Sequence, residues 1–278
     1  MRATATGAPT PALVAWGGGL LALAAVLAVV LLPPLSLQQP PGGFVDDRTL
    51  LGIPNCLDVV SNLPFLLIGA WGVWLLSRAD SVRGVGAFAD PGERWPYIAC
   101  FAGVALVAFG SGYFHLAPDG ARLLWDRLPM TVGFMSLVSA TIAERISAKA
   151  GLRLLAPLVL LGIGSAAYWR WSVLRGAEDL LPYALVQYGS MALIVLLCAV
   201  FRSRYTRGHD IFVVVGIYVA AKVFEVLDAP IYALGGIVSG HTLKHLAAAV
   251  AVWWLLRMLL LRERIEPAAA VANETRLV

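Results

Sequence analysis

Charge is what this sequence has least of. Asp, Glu, Lys and Arg make up 14% of its 278 residues, where soluble domains carry roughly a quarter. The chain is therefore poor in the groups that hold a protein surface in water. Cysteine is nearly missing too. Cys56, Cys100 and Cys198 are an odd, widely spaced set within apolar segments, which excludes a disulfide framework and a Cys-x-x-Cys metal site. They read as small apolar residues to be buried. No internal repeat is present, and no block of basic residues. The formal net charge is +4, but the Lys and Arg residues are spread among short loops, which argues against nucleic-acid binding. Histidine is scarce as well, with four in the chain, and three of those four fall into one pattern.

What the sequence has in abundance is apolar length. Hydrophobic residues are 59% of the chain and the mean hydropathy is +0.78. A helix of about 20 apolar residues crosses a bilayer core, and eight segments meet that test: 12–32, 56–76, 96–116, 122–143, 152–169, 182–201, 210–228 and 239–261. The first carries no charge and stops at Pro33-Pro34. It exceeds a usual signal-peptide core and no small-x-small cleavage site follows, so a retained span is expected. The seventh contains Lys222, Glu225 and Asp228. The predicted fold is an all-α, polytopic transmembrane helix bundle. The tail beyond Glu266 has little to anchor it and is expected to be disordered.

Loop charge gives the expected orientation. Of the 21 Lys and Arg residues, Arg127, Lys222 and Lys244 fall within spans and Arg48, Arg122, Arg170 and Arg175 lie in loops on one side, leaving fourteen on the side of the N-terminus. Basic loops stay inside, so both termini are expected in the cytoplasm, in a plasma (inner) membrane. The ends of spans three, four and eight that carry the pattern described next then share one depth near the outer leaflet.

Ser111 and His115, in Gly-Ser-Gly-Tyr-Phe-His, are four apart and share a helix face. Asp126 follows in Leu-Leu-Trp-Asp-Arg-Leu-Pro-Met, and the last span opens with Gly-His241-Thr-Leu-Lys-His245. Three imidazoles suit zinc, and a catalytic zinc keeps a fourth position open for water. The residues between His241 and His245 supply no carboxylate, so the base must come from elsewhere, and Asp126 is the candidate. Ser111 can hydrogen-bond the water or a developing oxyanion. Gly110 and Gly112 leave room for close helix approach or an acyl chain. Plainer readings stand beside these. The histidines could be packing residues, although ionisable groups inside a membrane are costly and usually functional. Asp126 could pair with Arg127 or Arg122 at the interface, and Asp119 reads as a turn residue. Lys222, Glu225 and Asp228, three apart in succession, could neutralise one another, support the site or meet a substrate's polar head. Trp95, Trp169, Trp171, Trp253 and Trp254 read as interfacial anchors.

Ser111-x-x-x-His115, Leu-Leu-Trp-Asp126-x-Leu-Pro-Met, Gly-His241-x-x-x-His245 and Val60-Ser61-Asn62 closely resemble the alkaline ceramidases. More distantly they resemble the wider superfamily of seven-span hydrolases that includes the adiponectin receptors. The similarity runs from about residue 55 to 260, in order. It implies an N-terminal transmembrane helix and outer loop (1–55), a seven-helix catalytic core (56–261) and a cytoplasmic tail (262–278). It also implies zinc on His115, His241 and His245, water activation by Asp126, help at the carbonyl from Ser111, and ceramide-like lipid amides as substrates. The family's calcium-binding acidic stretch is replaced by Val45-Asp46-Asp47-Arg48, and Asn55 stands where a calcium-binding Glu would be, which puts calcium in doubt. The leading expectation is a zinc amidohydrolase. A receptor or sensor with a structural zinc is the alternative, and a transporter using Lys222, Glu225 and Asp228 is a third. Acyl chain, headgroup and oligomeric state are left open.

Overall fold

The computed structural model describes residues 29, 31–36, 44–78 and 88–265. Within them lie seven helical columns: α1 (Cys56–Ser77), α2 (Pro91–Leu116), α3 (Gly120–Arg145), α4 (Ala148–Leu174), α5 (Leu181–Val200), α6 (Asp210–Val226) and α7 (Gly240–Leu261). No β-strand occurs among the described residues, only two isolated bridges. Five of the columns, α1, α2, α4, α5 and α7, are long and apolar enough to cross a membrane. Of the other two, α3 carries Arg122, Asp126 and Arg127 in its first turns, and α6 is 17 residues long. Leu67, Leu106, Phe109, Leu160 and Leu161 all point outward, as expected where the solvent is lipid. The chain is an all-α integral membrane protein. The predicted span 12–32 falls, but for its last few residues, outside the described set.

Local chemistry sets the helix ends. Asp90 accepts the Gly92 N–H (2.7 Å) at the start of α2. Ala117, which precedes Pro118, is extended and ends that helix. Asp119 is then the turn residue expected of it: its Oδ1 accepts the Ala121 and Arg122 N–H groups (2.7 and 2.8 Å). Those bonds hold its carboxyl below the usual range. Helix α1 is broken at Ser61-Asn62. Both side chains bond back to the Asp58 carbonyl (3.1 and 2.7 Å), and Pro64 lacks the N–H that would continue the ladder.

The columns form a closed ring. Helices α1, α2 and α3 pack in sequence, α3 on α5, α5 on α6, α6 on α7, and α7 back on α1, with α4 held against α3 from outside. Alternation of direction puts the C-terminus of α2 and the N-termini of α1, α3, α5 and α7 at one end. Two glycines set how closely the helices meet there. A Cβ on Gly110 would lie 2.0 Å from the Trp125 carbonyl oxygen, and one on Gly240 would lie 2.2 Å from that of Phe224. Gly110 thus serves close approach of α2 and α3, while Gly112 faces open space.

Two expectations need correction, at Trp169 and Cys198. The tail beyond Glu266 lies outside the described residues; just before it, Thr206 N–H donates to the Glu263 carbonyl and Ile265 N–H to that of Arg204 (both 2.9 Å). Trp169 is not an interfacial anchor but is buried in the bundle. Cys198 is only half-buried, whereas Cys56 and Cys100 are buried.

Candidate metal centre

Helix α2 delivers His115 one turn after Ser111, and α7 delivers His241 and His245 from its first two turns. The three imidazoles meet. One ligand atom from each lies within 4.8 Å of the others, and the ring centroids are 4.8, 4.9 and 5.1 Å apart. Tetrahedral ligation with metal–nitrogen distances of about 2.0–2.1 Å spaces imidazole centroids by roughly 5 Å. Edge-to-face ring packing gives similar spacings, so the decision rests on the nitrogens. Nδ1 of the buried His115 has no hydrogen-bond partner, which is a cost unless something takes its lone pair. His245 Nδ1 lies 2.8 Å from Ser61 Oγ. The Ser61 hydroxyl already donates to the Asp58 carbonyl (3.1 Å), so it accepts from His245 Nδ1–H. That fixes the tautomer and leaves Nε2 as the ligand atom. His241 is held through its backbone N–H, which donates to Asp228 Oδ1 (2.7 Å), and its Nε2 lies 3.1 Å from Lys244 Nζ. The donor set fits a divalent cation that favours imidazole.

Of the other expected site residues, Ser111 is buried and its hydroxyl is a hydrogen-bond partner of the Asp126 carboxylate. Asp126 forms no ion pair with either nearby arginine. Arg122 bridges to Asp119 (3.5 Å), and Arg127 stacks on Trp169. The interfacial-pair reading of Asp126 therefore fails. No hydrogen bond joins Asp126 to an imidazole among the described residues. Its link to the centre is Ser111, one turn from His115.

The structure gives contacts to residues for which the sequence offered no role at the centre, or which it did not single out. Ser61 orients His245. Asp58, wholly buried, accepts from Thr242 Oγ1 (2.6 Å) and ties α1 to α7 between the two histidines of α7. Asn55 donates to the His115 carbonyl (2.7 Å). Phe44 lies over the cluster, its ring 4.5 Å from His115 and 4.7 Å from His241. The strand of chain behind Phe44 is pinned by Arg48, which grips Asp46 (2.7 Å) and the Ile237 carbonyl (2.6 Å). That guanidinium holds the Asp46 carboxyl below its usual range. The expected trio on α6 is rearranged. Glu225 joins Lys222 and Lys244, the latter at 2.9 Å. Asp228 has left that face to cap α7.

The fold and site define a class, an all-α polytopic membrane protein with a candidate three-histidine metal centre at one end of its bundle. The chain matches no known family model and none of the curated proteins it was compared with.

Proposed function

We propose that this chain is a zinc-dependent membrane amidohydrolase that cleaves ceramide-like lipids to a sphingoid base and a fatty acid. The observation that carries the reading is the convergence of His115, His241 and His245, with a tautomer set by Ser61 and a serine–carboxylate pair one turn away. Bound zinc would supply Lewis acidity, polarising an amide carbonyl and acidifying water. Asp126 takes the proton as the water oxygen bonds to the carbonyl carbon. While Asp126 is ionised, it holds the Ser111 O–H. Once protonated, it donates to Ser111 and frees that O–H for the carbonyl oxygen, where negative charge is building. As the C–N bond breaks, the proton passes to the nitrogen, leaving amine and acid.

The orientation is part of the proposal. The end opposite the histidines carries most of the loop Lys and Arg, so it faces the cytoplasm with both termini, and the centre lies near the outer leaflet.

Asp126→Asn tests the enzyme. General-base catalysis contributes about 10²–10⁴-fold, so hydrolysis of a long-chain ceramide should fall by that factor with metal content unchanged. Loss of zinc would make Asp126 a ligand, and full turnover with zinc bound would remove it from the mechanism.

One observation favours a second reading, a receptor or sensor with a structural metal. Phe44 and Lys244 both crowd the imidazoles, and a structural zinc has no open position. Zinc retained in a protein that hydrolyses no lipid amide would select it.

A further inference from the structure

A second polar site lies beside the first, on another face of α3. Arg127 is 8% exposed and Tyr183, from the first turn of α5, is 4% exposed. The Arg127 guanidinium lies 3.8 Å over the Trp169 ring and 5.0 Å from the Tyr183 ring centroid. Rings can hold a cation by its faces, but the N–H groups point outward in the guanidinium plane and need acceptors. Here they lack them. Arg127 Nη1 and the Tyr183 hydroxyl are both buried without a hydrogen-bond partner, and Arg127 forms no ion pair among the described residues. The two nearby carboxylates are engaged elsewhere. Asp126 is bonded to Ser111, and Glu178 accepts from Trp169 Nε1 (3.1 Å) and Ser36 Oγ (2.8 Å). A buried cation without an acceptor is among the costlier arrangements in a protein. The wall formed by α5 is π-helical over Leu185–Gly189, a widening that recurs at functional sites.

We propose that Arg127 and Tyr183 form a subsite for a lipid-borne oxyanion, a carboxylate or a phosphate. The chemistry is that of the missing acceptor: a guanidinium edge presents paired N–H donors that match two oxygens of one anion, and the phenol supplies a further donor. Neutral acceptors such as a hydroxyl satisfy one donor and leave the charge uncompensated. Asp126 and Glu178 act on Arg127 from longer range and weaken the site for anions, so affinity rests on direct contact with both donors. The subsite does not depend on the histidines holding a metal.

The test uses full-length protein in neutral detergent and three probes with one chain length: dodecanoate, dodecyl phosphate and dodecanol. One or both anionic probes should raise the Tm by about 5 °C at about a hundredfold excess over Kd, and dodecanol should not. A shift with dodecanoate alone assigns the subsite to a fatty carboxylate, and a shift with dodecyl phosphate assigns it to a phosphate-bearing headgroup. Arg127→Met should abolish the shift and, with the unpaired charge gone, melt no lower than the probe-free wild type. Tyr183→Phe keeps both rings around the cation and should weaken the shift severalfold, which keeps the test alive if the first variant does not fold. Equal shifts with dodecanol, no shift in wild type, or an unchanged shift in whichever variant folds would overturn the proposal. So would an Arg127→Met protein that melts well below a wild type indifferent to anions, because Arg127 would then be a cation–π clamp alone.

Discussion

The two ends of the bundle treat their polar groups in opposite ways. At the end opposite the histidines, each buried carboxylate meets an arginine, one of them buried and one exposed. Arg262 pairs with Glu144, and Arg204 reaches Glu93 at 2.7 Å and the Ala143 carbonyl at 2.7 Å. Tyr205 donates to Glu93, and the Arg262 guanidinium is walled by the rings of Phe88, Tyr97 and Tyr205. The cavity among these groups is about 10 Å³, room for a single water at most. At the histidine end, three imidazoles gather within reach of one another, and His115 Nδ1, Asp58 Oδ2, Arg127 Nη1 and the Tyr183 hydroxyl are left without partners. Unpartnered atoms occur at both ends, since Arg262 Nε and Nη2 lack hydrogen-bond partners as well. The difference is in charge: Arg262 has Glu144 as its counter-ion, whereas Arg127 forms no ion pair among the described residues and three imidazoles face one another, the pattern expected where a ligand completes the structure.

The largest effect should come from breaking the histidine end. His241→Ala and His245→Ala each remove one of the three proposed ligands, so purified protein should lose stoichiometric zinc, and the stability zinc lends by binding the native state, while its helical content stays close to wild type. Zinc retained by both variants would disprove the ligand assignment. A substitution at the other end should do the reverse. Glu144→Gln leaves Arg262, 1% exposed, buried without its counter-charge, and breaking such a pair costs roughly 3–5 kcal/mol. A Tm lower by on the order of 10 °C with zinc content unchanged is expected. If zinc were lost in parallel with stability, the two ends would not be separable and the contrast would fail.

The helices and the histidine end were legible in the sequence, whereas the ion-paired end was not. Apolar length placed seven helices to within a few residues, because crossing a bilayer fixes both the length and the composition of a segment. The same topology brought His115, His241 and His245 to one end. What length and periodicity could not show were contacts made by bending out of a helix. Ser61 meets His245 only because α1 breaks at Ser61-Asn62. Asp228 caps α7 only because α6 ends at Val226, two residues before the predicted end. Phe44 comes from a loop with no periodic pattern, and nothing in its spacing ties it to histidines far along the chain. Trp169 was misread because tryptophan near a helix end usually marks the interface. Here it takes the face of a buried arginine instead.

The smallest expected effect sharpens the contrast most, since it changes no ligand and no charge. Ser61→Ala removes a hydroxyl that does two things: it donates to the Asp58 carbonyl and accepts from His245 Nδ1–H. Without it, His245 is free to flip or to shift its proton to Nε2, and either change spoils the nitrogen that faces the other imidazoles. Partners that orient a metal-bound imidazole typically contribute 10–100-fold to metal affinity, so competition with a calibrated chelator should show zinc held weaker by about that factor. Stability should change little, because the lost bonds are two and the cavity is that of one oxygen. Ser61→Thr keeps the hydroxyl and should restore most of the affinity where its extra methyl fits. Were Ser61 only a helix-breaking residue that happens to lie near His245, alanine would straighten α1 and stabilise it while zinc affinity stayed at the wild-type value, and the tautomer assignment would fall with it.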